Sequence, residues 1–145
     1  MRELPRQLTV DQLAELFEGR TRFVERLAAL EDPLEQADAV VADVPEDELL
    51  EALAAHPQIG AGALSERSAR EQGPDADAAL MTELAYLNQV YEEKFGFRFV
   101  VFVNRRPKHE ILDVLRDRLQ NSREEELETG VRELIAIARD RWEHP

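Results

Sequence analysis

The chain has 145 residues, of which 43% are apolar and 34% charged, a balance typical of one globular domain rather than a disordered segment. Its formal net charge of −13 argues against binding to nucleic acid or to anionic lipid, because both need a basic face. The absence of cysteine excludes disulfides, thiolate nucleophiles and cysteine-based zinc sites, and it is compatible with a cytoplasmic protein.

The first half of the chain has the apolar spacing of four short helices. A capping box at 9–12 opens the first, Gly19 interrupts it, and the second runs from about Thr21 to Leu30. Pro33 begins the third helix, and a capping signal at 43–46 begins the fourth. Apolar residues recur at helical spacing in each of them: Leu13, Leu16 and Phe17; Phe23, Leu27 and Leu30; Leu34, Ala37 and Val41; Leu49, Leu50 and Leu53.

The fourth helix ends where a histidine meets a proline. A residue before proline is disfavoured in helical conformation, so we expect the helix to end near Ala55 and to leave His56 at its C-terminus. A glycine-containing loop follows, and then a short helix that carries Ser68, Glu71 and Gln72.

The second half of the chain predicts three longer helices and one extended segment. The helices are expected over 77–94, 109–119 and 124–142, the last of them capped at 121–125. The residues 95–103, FGFRFVVFV, have the composition of a buried strand, yet no other strand-like run offers a partner. We therefore predict a buried extended segment near 97–103, whose backbone groups need other partners, a ligand among them. The expected fold is all-α, a compact single-domain helical bundle over 1–145.

Two polar groups of residues around the central loop could carry chemistry. A helix C-terminus stabilises a protonated imidazole, so His56 could act as an acid or a base, although a capping or core histidine gives the same pattern. Ser68, Glu71 and Gln72 share one helical face and offer a hydroxyl, a carboxylate and an amide, which suits a polar heterocycle. The alternative for these three residues is an ordinary solvated helix face.

The last helix carries three arginines, Arg132, Arg139 and Arg141. An arginine turned inward could clamp a carboxylate or a ureido carbonyl through its planar fork. A surface salt bridge is the alternative for each of them, and periodicity does not decide whether Arg139 or Arg141 faces the interior.

Several other kinds of site and segment are not expected. His56, His109 and His144 are far apart in the sequence and lack metal-ligand spacing, so no metal site is predicted. The chain has no glycine-rich phosphate loop and no Gly-x-Ser-x-Gly elbow. The N-terminus lacks the apolar core of a signal peptide, and no apolar run approaches the ~20 residues of a membrane helix.

Five motifs, in order between His56 and Arg141, resemble those of one enzyme family, and the resemblance covers the chain from about residue 10 to 142. The family is 2-oxo-4-hydroxy-4-carboxy-5-ureidoimidazoline (OHCU) decarboxylase, which acts in uric acid degradation. Each motif alone is weak, whereas the five in family order are a strong signal. They are His56-Pro57-Gln58-Ile59-Gly60, Ser68-x-x-Glu71-Gln72, Leu87-Asn88-x-x-Tyr91-x-x-Lys94-Phe95-Gly96-Phe97, Arg118-Leu119-x-Asn121 and Glu133-x-x-x-Ile137-x-x-x-Arg141.

The resemblance implies an all-helical enzyme that needs no cofactor and makes S-allantoin from OHCU. It also implies a homodimer in the cytoplasm. His56 would be the catalytic histidine, and Glu71 the carboxylate that acts with it. The substrate-binding residues implied are Pro57, Ser68, Gln72, Arg141 and the backbone of the segment Phe99, Val100 and Val101.

The chain departs from the family pattern close to two of these motifs. Arg98 stands where many members carry proline, and Asp140 and Trp142 flank Arg141 where apolar leucine is frequent. Two alternatives to the decarboxylase hypothesis stay open at this point. One is a non-catalytic acidic helical domain that binds a protein partner, and the other is an enzyme of the same fold acting on a related ureido or imidazoline acid.

Overall fold

Seven α-helices make up most of the part of the chain that the computed structural model describes, residues 3–57 and 78–145. No strand occurs within these two ranges, so the all-α prediction is confirmed. A short 3-10 turn, Val41–Asp43, follows the third helix. The helices are α1 Val10–Phe17, α2 Arg22–Ala28, α3 Pro33–Val40, α4 Glu46–Ala55, α5 Ala78–Phe95, α6 Lys108–Arg118 and α7 Arg123–Glu143.

Two of the predicted helix starts are confirmed by their hydrogen bonds. Thr9 accepts a hydrogen bond from the backbone N–H of Gln12 and closes a capping box at α1, and Ser122 does the same with Glu125 at α7. The signal at 43–46 does not act through a side chain, because the N-cap of α4 is Pro45 and no side-chain cap is present. Instead, three acidic residues in the first turn of α4 complement the positive end of its helix dipole.

The long helix α7 is the centre of the packing. It contacts α1, α3 and α4, while α2 contacts α1, α3 and α4, and α5 packs on α6. Its inward side is apolar, with Val131, Leu134, Ile135 and Ala138 buried. Because α7 touches both the end of α1 and α4, it brings together segments that are far apart in the sequence.

Gly19 allows the turn after α1 to approach the last turn of α4. A Cβ atom at position 19 would lie 2.7 Å from the Cβ atom of Ala55, closer than two carbon atoms can pack. The contact therefore requires glycine, and it fixes the end of α4 one residue before His56.

The extended segment at 97–103 lies buried between helices, as predicted, and side chains rather than a second strand bind its backbone. Arg118 donates a 2.6 Å hydrogen bond to the carbonyl of Val100, and Glu133 accepts one from the N–H of Phe102. Arg106 donates to the carbonyls of Phe102 and Val103. Side chains of α6, of α7 and of the loop before α6 thus replace the ladder that a lone strand lacks.

A buried charge network holds Arg118 in place. Its Nε lies 2.7 Å from Glu126, which is fully buried and also accepts hydrogen bonds from the Tyr91 hydroxyl and the Asn121 amide. The guanidinium stacks over the ring of Phe99 at 4.6 Å. Burial and the bond to Glu126 raise the pKa of Tyr91, so its hydroxyl remains a proton donor at neutral pH. Several motif residues of the second half therefore support the extended segment.

None of the helices within 3–57 and 78–145 combines the length and the apolar character that a membrane span needs. The single-domain organisation over 1–145 stays a prediction.

Candidate active site

His56 lies at the C-terminus of α4, as the His-Pro sequence predicts. Its backbone is extended (φ −81°, ψ 137°), and its N–H donates to the carbonyl of Leu53 at 3.2 Å, which closes the last helical turn. Pro57 follows and prevents the helix from continuing. The side chain points into the protein and is only 8% exposed. Its burial disfavours a solvent-facing cap and is compatible with either a core histidine or a histidine of a site.

Arg141, and not Arg139, faces the interior. Arg141 on α7 is 2% exposed, and its two terminal nitrogens donate to the carbonyl of Leu16 at 2.9 Å and to Glu18 Oε1 at 3.0 Å. Arg139 lies at the periphery, where it binds the carbonyl of Leu34 and the carboxylate of Asp38 on α3. Arg132 is exposed and pairs with Glu128 one turn away. Periodicity did not decide between Arg139 and Arg141. The packing of α7 against the end of α1 turns Arg141 inward.

Glu18 is a member of the site that sequence reasoning missed. It is the C-cap of α1 and adopts the left-handed conformation (φ 58°, ψ 30°), which costs a non-glycine residue about 1 kcal/mol. The usual rule for helix ends would assign that conformation to the next residue, Gly19. Placing Glu18 there instead directs its carboxylate to Arg141, and no local sequence signal marks this contact.

The environment of His56 favours the neutral imidazole. Burial, together with the positive charges of Arg141 and Arg98, lowers the pKa of His56 from 6.5 to about 4, although the carboxylate of Glu18 acts in the opposite direction. The ring Nδ1 is buried and has no hydrogen-bond partner within the described part of the chain. His56 is therefore an uncharged proton acceptor at neutral pH, with one nitrogen available to another group.

Arg98 connects His56 to the extended segment. Its Nη1 donates to the carbonyl of His56 at 2.6 Å and to that of Ala54 at 3.3 Å, and its Nε lies 3.5 Å from Glu92 of α5. The chain thus has an arginine that bridges α4, α5 and the segment at the position where it departs from the family pattern.

The substrate-binding residues expected on the segment differ in what their backbone groups contact. The carbonyl of Val100 is already bound by Arg118, so only its N–H remains as a possible donor to a ligand. Phe99 and Val101 make no backbone hydrogen bond to any residue of the described ranges. Both are almost fully buried, and buried backbone groups without partners are rare in proteins.

Three of the expected site residues, Ser68, Glu71 and Gln72, lie outside the described residues. Whether they meet His56 stays a prediction. Within 3–57 and 78–145 no group of three histidine, aspartate or glutamate side chains could hold a metal ion. His109 and His144 are exposed and lie on other helix ends.

The described arrangement can bind a small polar anion and move a proton. His56 supplies a neutral base, the charges of Arg141 and Arg98 favour an anion beside it, and Phe99 and Val101 offer backbone donors and acceptors. The carboxylate of Glu18 accepts a hydrogen bond from one terminal nitrogen of the Arg141 guanidinium.

Comparison with known proteins identifies the family to which the chain belongs. The family model of OHCU decarboxylase matches residues 2–143. The chain is 29% identical to the uric acid degradation bifunctional protein PucL of Bacillus subtilis, over 97% of this chain and 31% of that protein. It is 32% identical to the 2-oxo-4-hydroxy-4-carboxy-5-ureidoimidazoline decarboxylase of Halalkalicoccus jeotgali, over 77% of this chain and 67% of that protein.

A solved structure has the same fold. A crystal structure of OHCU decarboxylase in the presence of (S)-allantoin superimposes with a TM-score of 0.74 at 26% identity, covering 90% of this chain and 94% of the other. The chain spans less than a third of the length of the bifunctional Bacillus subtilis protein.

Proposed function

The chain belongs to the OHCU decarboxylase family, and from this premise we propose that it converts OHCU to S-allantoin by cofactor-independent decarboxylation in uric acid degradation. The observation that carries the proposal is the geometry at His56, a buried neutral imidazole that shares its surroundings with the guanidinium of Arg141. A non-catalytic interaction domain would have no reason to bury a histidine beside two positive charges, because each of them opposes its protonation.

The neutral state of His56 supports a role as the base that moves a proton within the substrate. On loss of carbon dioxide the bonding pair at ring carbon 4 forms a double bond between carbons 4 and 5. The π pair of the former C=N bond at carbon 5 moves onto the ring nitrogen, which takes up one proton from solvent. The enol that remains carries a hydroxyl proton on carbon 4 and lacks a proton on carbon 5. His56 accepts the first proton and returns one to a single face of carbon 5, which sets the configuration of the product.

Arg141 supports binding of the substrate anion. Two of its donors are held by Leu16 and Glu18, so its guanidinium is oriented before the substrate arrives. The positive charge offsets the cost of taking a carboxylate out of water and remains to stabilise the enolate-like charge that follows.

The backbone groups of Phe99 and Val101, which lack hydrogen-bond partners within the described ranges, support contacts with the ring or the ureido group. Pro57 borders His56. Glu71 is proposed to fix the tautomer of His56 or to bind the substrate hydroxyl, and Ser68 and Gln72 to hold the ring and ureido groups; these three roles rest on the family motifs.

One assay tests the proposal. Urate is treated with uricase and hydroxyisourate hydrolase, this protein is added last, and the ultraviolet signal of OHCU and the circular dichroism of allantoin are followed. We expect faster loss of OHCU and a single enantiomer of allantoin. Racemic allantoin formed at the uncatalysed rate would contradict the proposal and favour the interaction domain, whereas turnover of only a related ureido acid would favour the third hypothesis.

Two further properties rest on the family alone. A homodimer is proposed, and sedimentation analysis of the purified chain checks it; a monomer at micromolar concentration would contradict it. A cytoplasmic location is likewise proposed, and fractionation of the source cells tests it.

A further inference from the structure

The C-terminus of α4 has backbone carbonyls that the helix itself cannot satisfy, and one side chain binds two of them. Arg98 Nη1 donates to the carbonyls of Ala54 and His56, at 3.3 Å and 2.6 Å. The second carbonyl belongs to the residue proposed as the base. Arg98 also lies directly before Phe99 in the extended segment, so it joins the two backbone regions that form the site.

Charged groups reach His56 from three directions. Glu18 comes from the end of α1, Arg141 from α7 and Arg98 from the extended segment. Glu18 favours protonation of the imidazole, and the two arginines oppose it. Arg141 is neutralised in part by Glu18 at 3.0 Å, whereas among the residues that the structure describes Arg98 pairs with Glu92, whose carboxylate lies 3.5 Å from its Nε.

We propose that Arg98 is a positioning residue for His56, which holds the backbone of the histidine against the extended segment and adds a positive charge to its surroundings. Its role in turnover rests on the proposed function. Arg98 belongs to the segment that bears Phe99 and Val101, and its Nη1 donates to the carbonyl of His56. This hydrogen bond keeps a fixed distance between the proposed base and the backbone of the segment.

The chain contains a matched control for this arginine. Arg123 likewise binds a backbone carbonyl, that of Phe95 at 3.1 Å, and a glutamate of α4, Glu46 at 2.8 Å. It is not among the charges that act on His56. Arg98→Met and Arg123→Met therefore remove the same kinds of interaction, and only the first removes them at His56.

The first measurement is the titration of the histidine ring protons by nuclear magnetic resonance, with His56 assigned by its absence in His56→Asn. In the wild-type protein we expect the imidazole of His56 to stay neutral down to about pH 5. In Arg98→Met the pKa of His56 moves upward, and in Arg123→Met it does not. A wild-type His56 that is half-protonated near pH 6.5, or a His56 pKa in Arg98→Met equal to that in Arg123→Met, would overturn the proposal.

The second measurement is turnover of OHCU. We expect Arg98→Met to lower kcat about tenfold, the effect of one charge-assisted hydrogen bond, with little change in KM. Arg98→Lys, which keeps the charge without the fork, should retain a low pKa at His56 and recover part of kcat. Equal kcat in the Arg98→Met and Arg123→Met variants contradicts the positioning role. If the wild-type protein itself has no activity, the decarboxylase proposal fails, and the titration still decides the role of Arg98.

Discussion

At the scale of single residues, the site depends on where charges lie around one histidine. His56 is buried, it ends a helix, and it is surrounded by Arg141, Arg98 and Glu18. A helix C-terminus by itself would raise the pKa of a histidine, yet here burial and the two arginines outweigh it. Acid–base chemistry at His56 therefore starts from the neutral imidazole.

Replacing His56 with asparagine should abolish turnover and keep the fold, because asparagine fits the site and cannot accept a proton. We expect kcat to fall at least about 100-fold, the usual contribution of a general base. Loss of the OHCU ultraviolet signal measures the rate, and the far-ultraviolet circular dichroism of the variant controls for folding. A variant that yields one allantoin enantiomer at the wild-type rate would show that His56 is not the base.

The lowered pKa of His56 also predicts how stability depends on pH. The unfolded chain takes up a proton at His56 near pH 6.5 and the folded chain only near pH 4. The free energy of unfolding is therefore not reduced by this titration above pH 6.5, and it falls as the pH drops from 6.5 towards 4. The loss amounts to about 2–3 kcal/mol. Urea unfolding at pH 7 and pH 4.5 measures it in the wild-type protein and in His56→Asn, where it should be absent. Equal losses in the two proteins would contradict the lowered pKa.

Arg141→Ala should weaken substrate binding, because the anion loses its oriented guanidinium. We expect KM to rise about tenfold or more, as for the loss of a charged hydrogen bond. The same change removes the ion pair of the partly buried Glu18, so assays belong at a temperature where unfolding curves show the variant folded. An unchanged KM in the folded variant would contradict binding of the substrate anion by Arg141.

Among the structural elements, the extended segment is unusual because no neighbouring strand in the described part of the chain forms hydrogen bonds with its backbone. Its backbone is held instead by Arg118, Glu133 and Arg106, and Arg118 is in turn fixed by Glu126. The segment keeps Phe99 and Val101 in place without using their own backbone groups. The all-helical fold thus supports an unpaired segment in which the backbone of Phe99 and Val101 makes no hydrogen bond within the described ranges.

Arg118→Met should destabilise the protein by about 3–5 kcal/mol, because it leaves the carboxylate of Glu126, 0% exposed, without its positive partner. Arg116→Met on the same helix is the control: its ion pairs with Glu83 and Asp113 are half-exposed, and we expect a loss below about 1 kcal/mol. Urea unfolding at pH 7 compares the two variants. Similar losses would mean that the buried network does not stabilise the segment.

At the scale of the whole molecule, α7 and the turn at Gly19 bring the ends of α1 and α4 together. Glu18 and Arg141 are 123 positions apart in the chain and meet at 3.0 Å. The position of His56 relative to Arg141 follows from these helix contacts rather than from any local motif.

Gly19→Ala should disturb that arrangement, since its Cβ atom would lie 2.7 Å from that of Ala55. We expect a loss of about 1–3 kcal/mol from overpacking, with a lower kcat because α4 must shift. Gly130→Ala in α7 is the matched control, since its Cβ atom would lie 3.4 Å from Leu53 and alanine favours the helix; stability should hold or rise by up to about 1 kcal/mol. Thermal unfolding and kcat separate the two variants, and a neutral Gly19→Ala would refute the close contact.

Much of the fold and part of the candidate site could be predicted from the sequence. The capping boxes at Thr9 and Ser122 mark helix starts, the proline after His56 marks a helix end, and the lack of a second strand-like run predicts the unpaired segment. These signals depend on neighbours within about one helical turn, where backbone geometry is set locally. The order of the motifs also identified the family.

Only the tertiary structure decided which arginine faces inward, that Glu18 holds it, and that Arg98 binds the carbonyl of His56. Helical periodicity repeats every 3.6 residues and assigns each side chain to a face, but it does not say what lies opposite that face. The partners come from the packing of α7 against α1 and of the segment against α4, which depends on contacts across the whole core. The sequence by itself thus determined the elements and the candidate base, and the packing determined the charges around it.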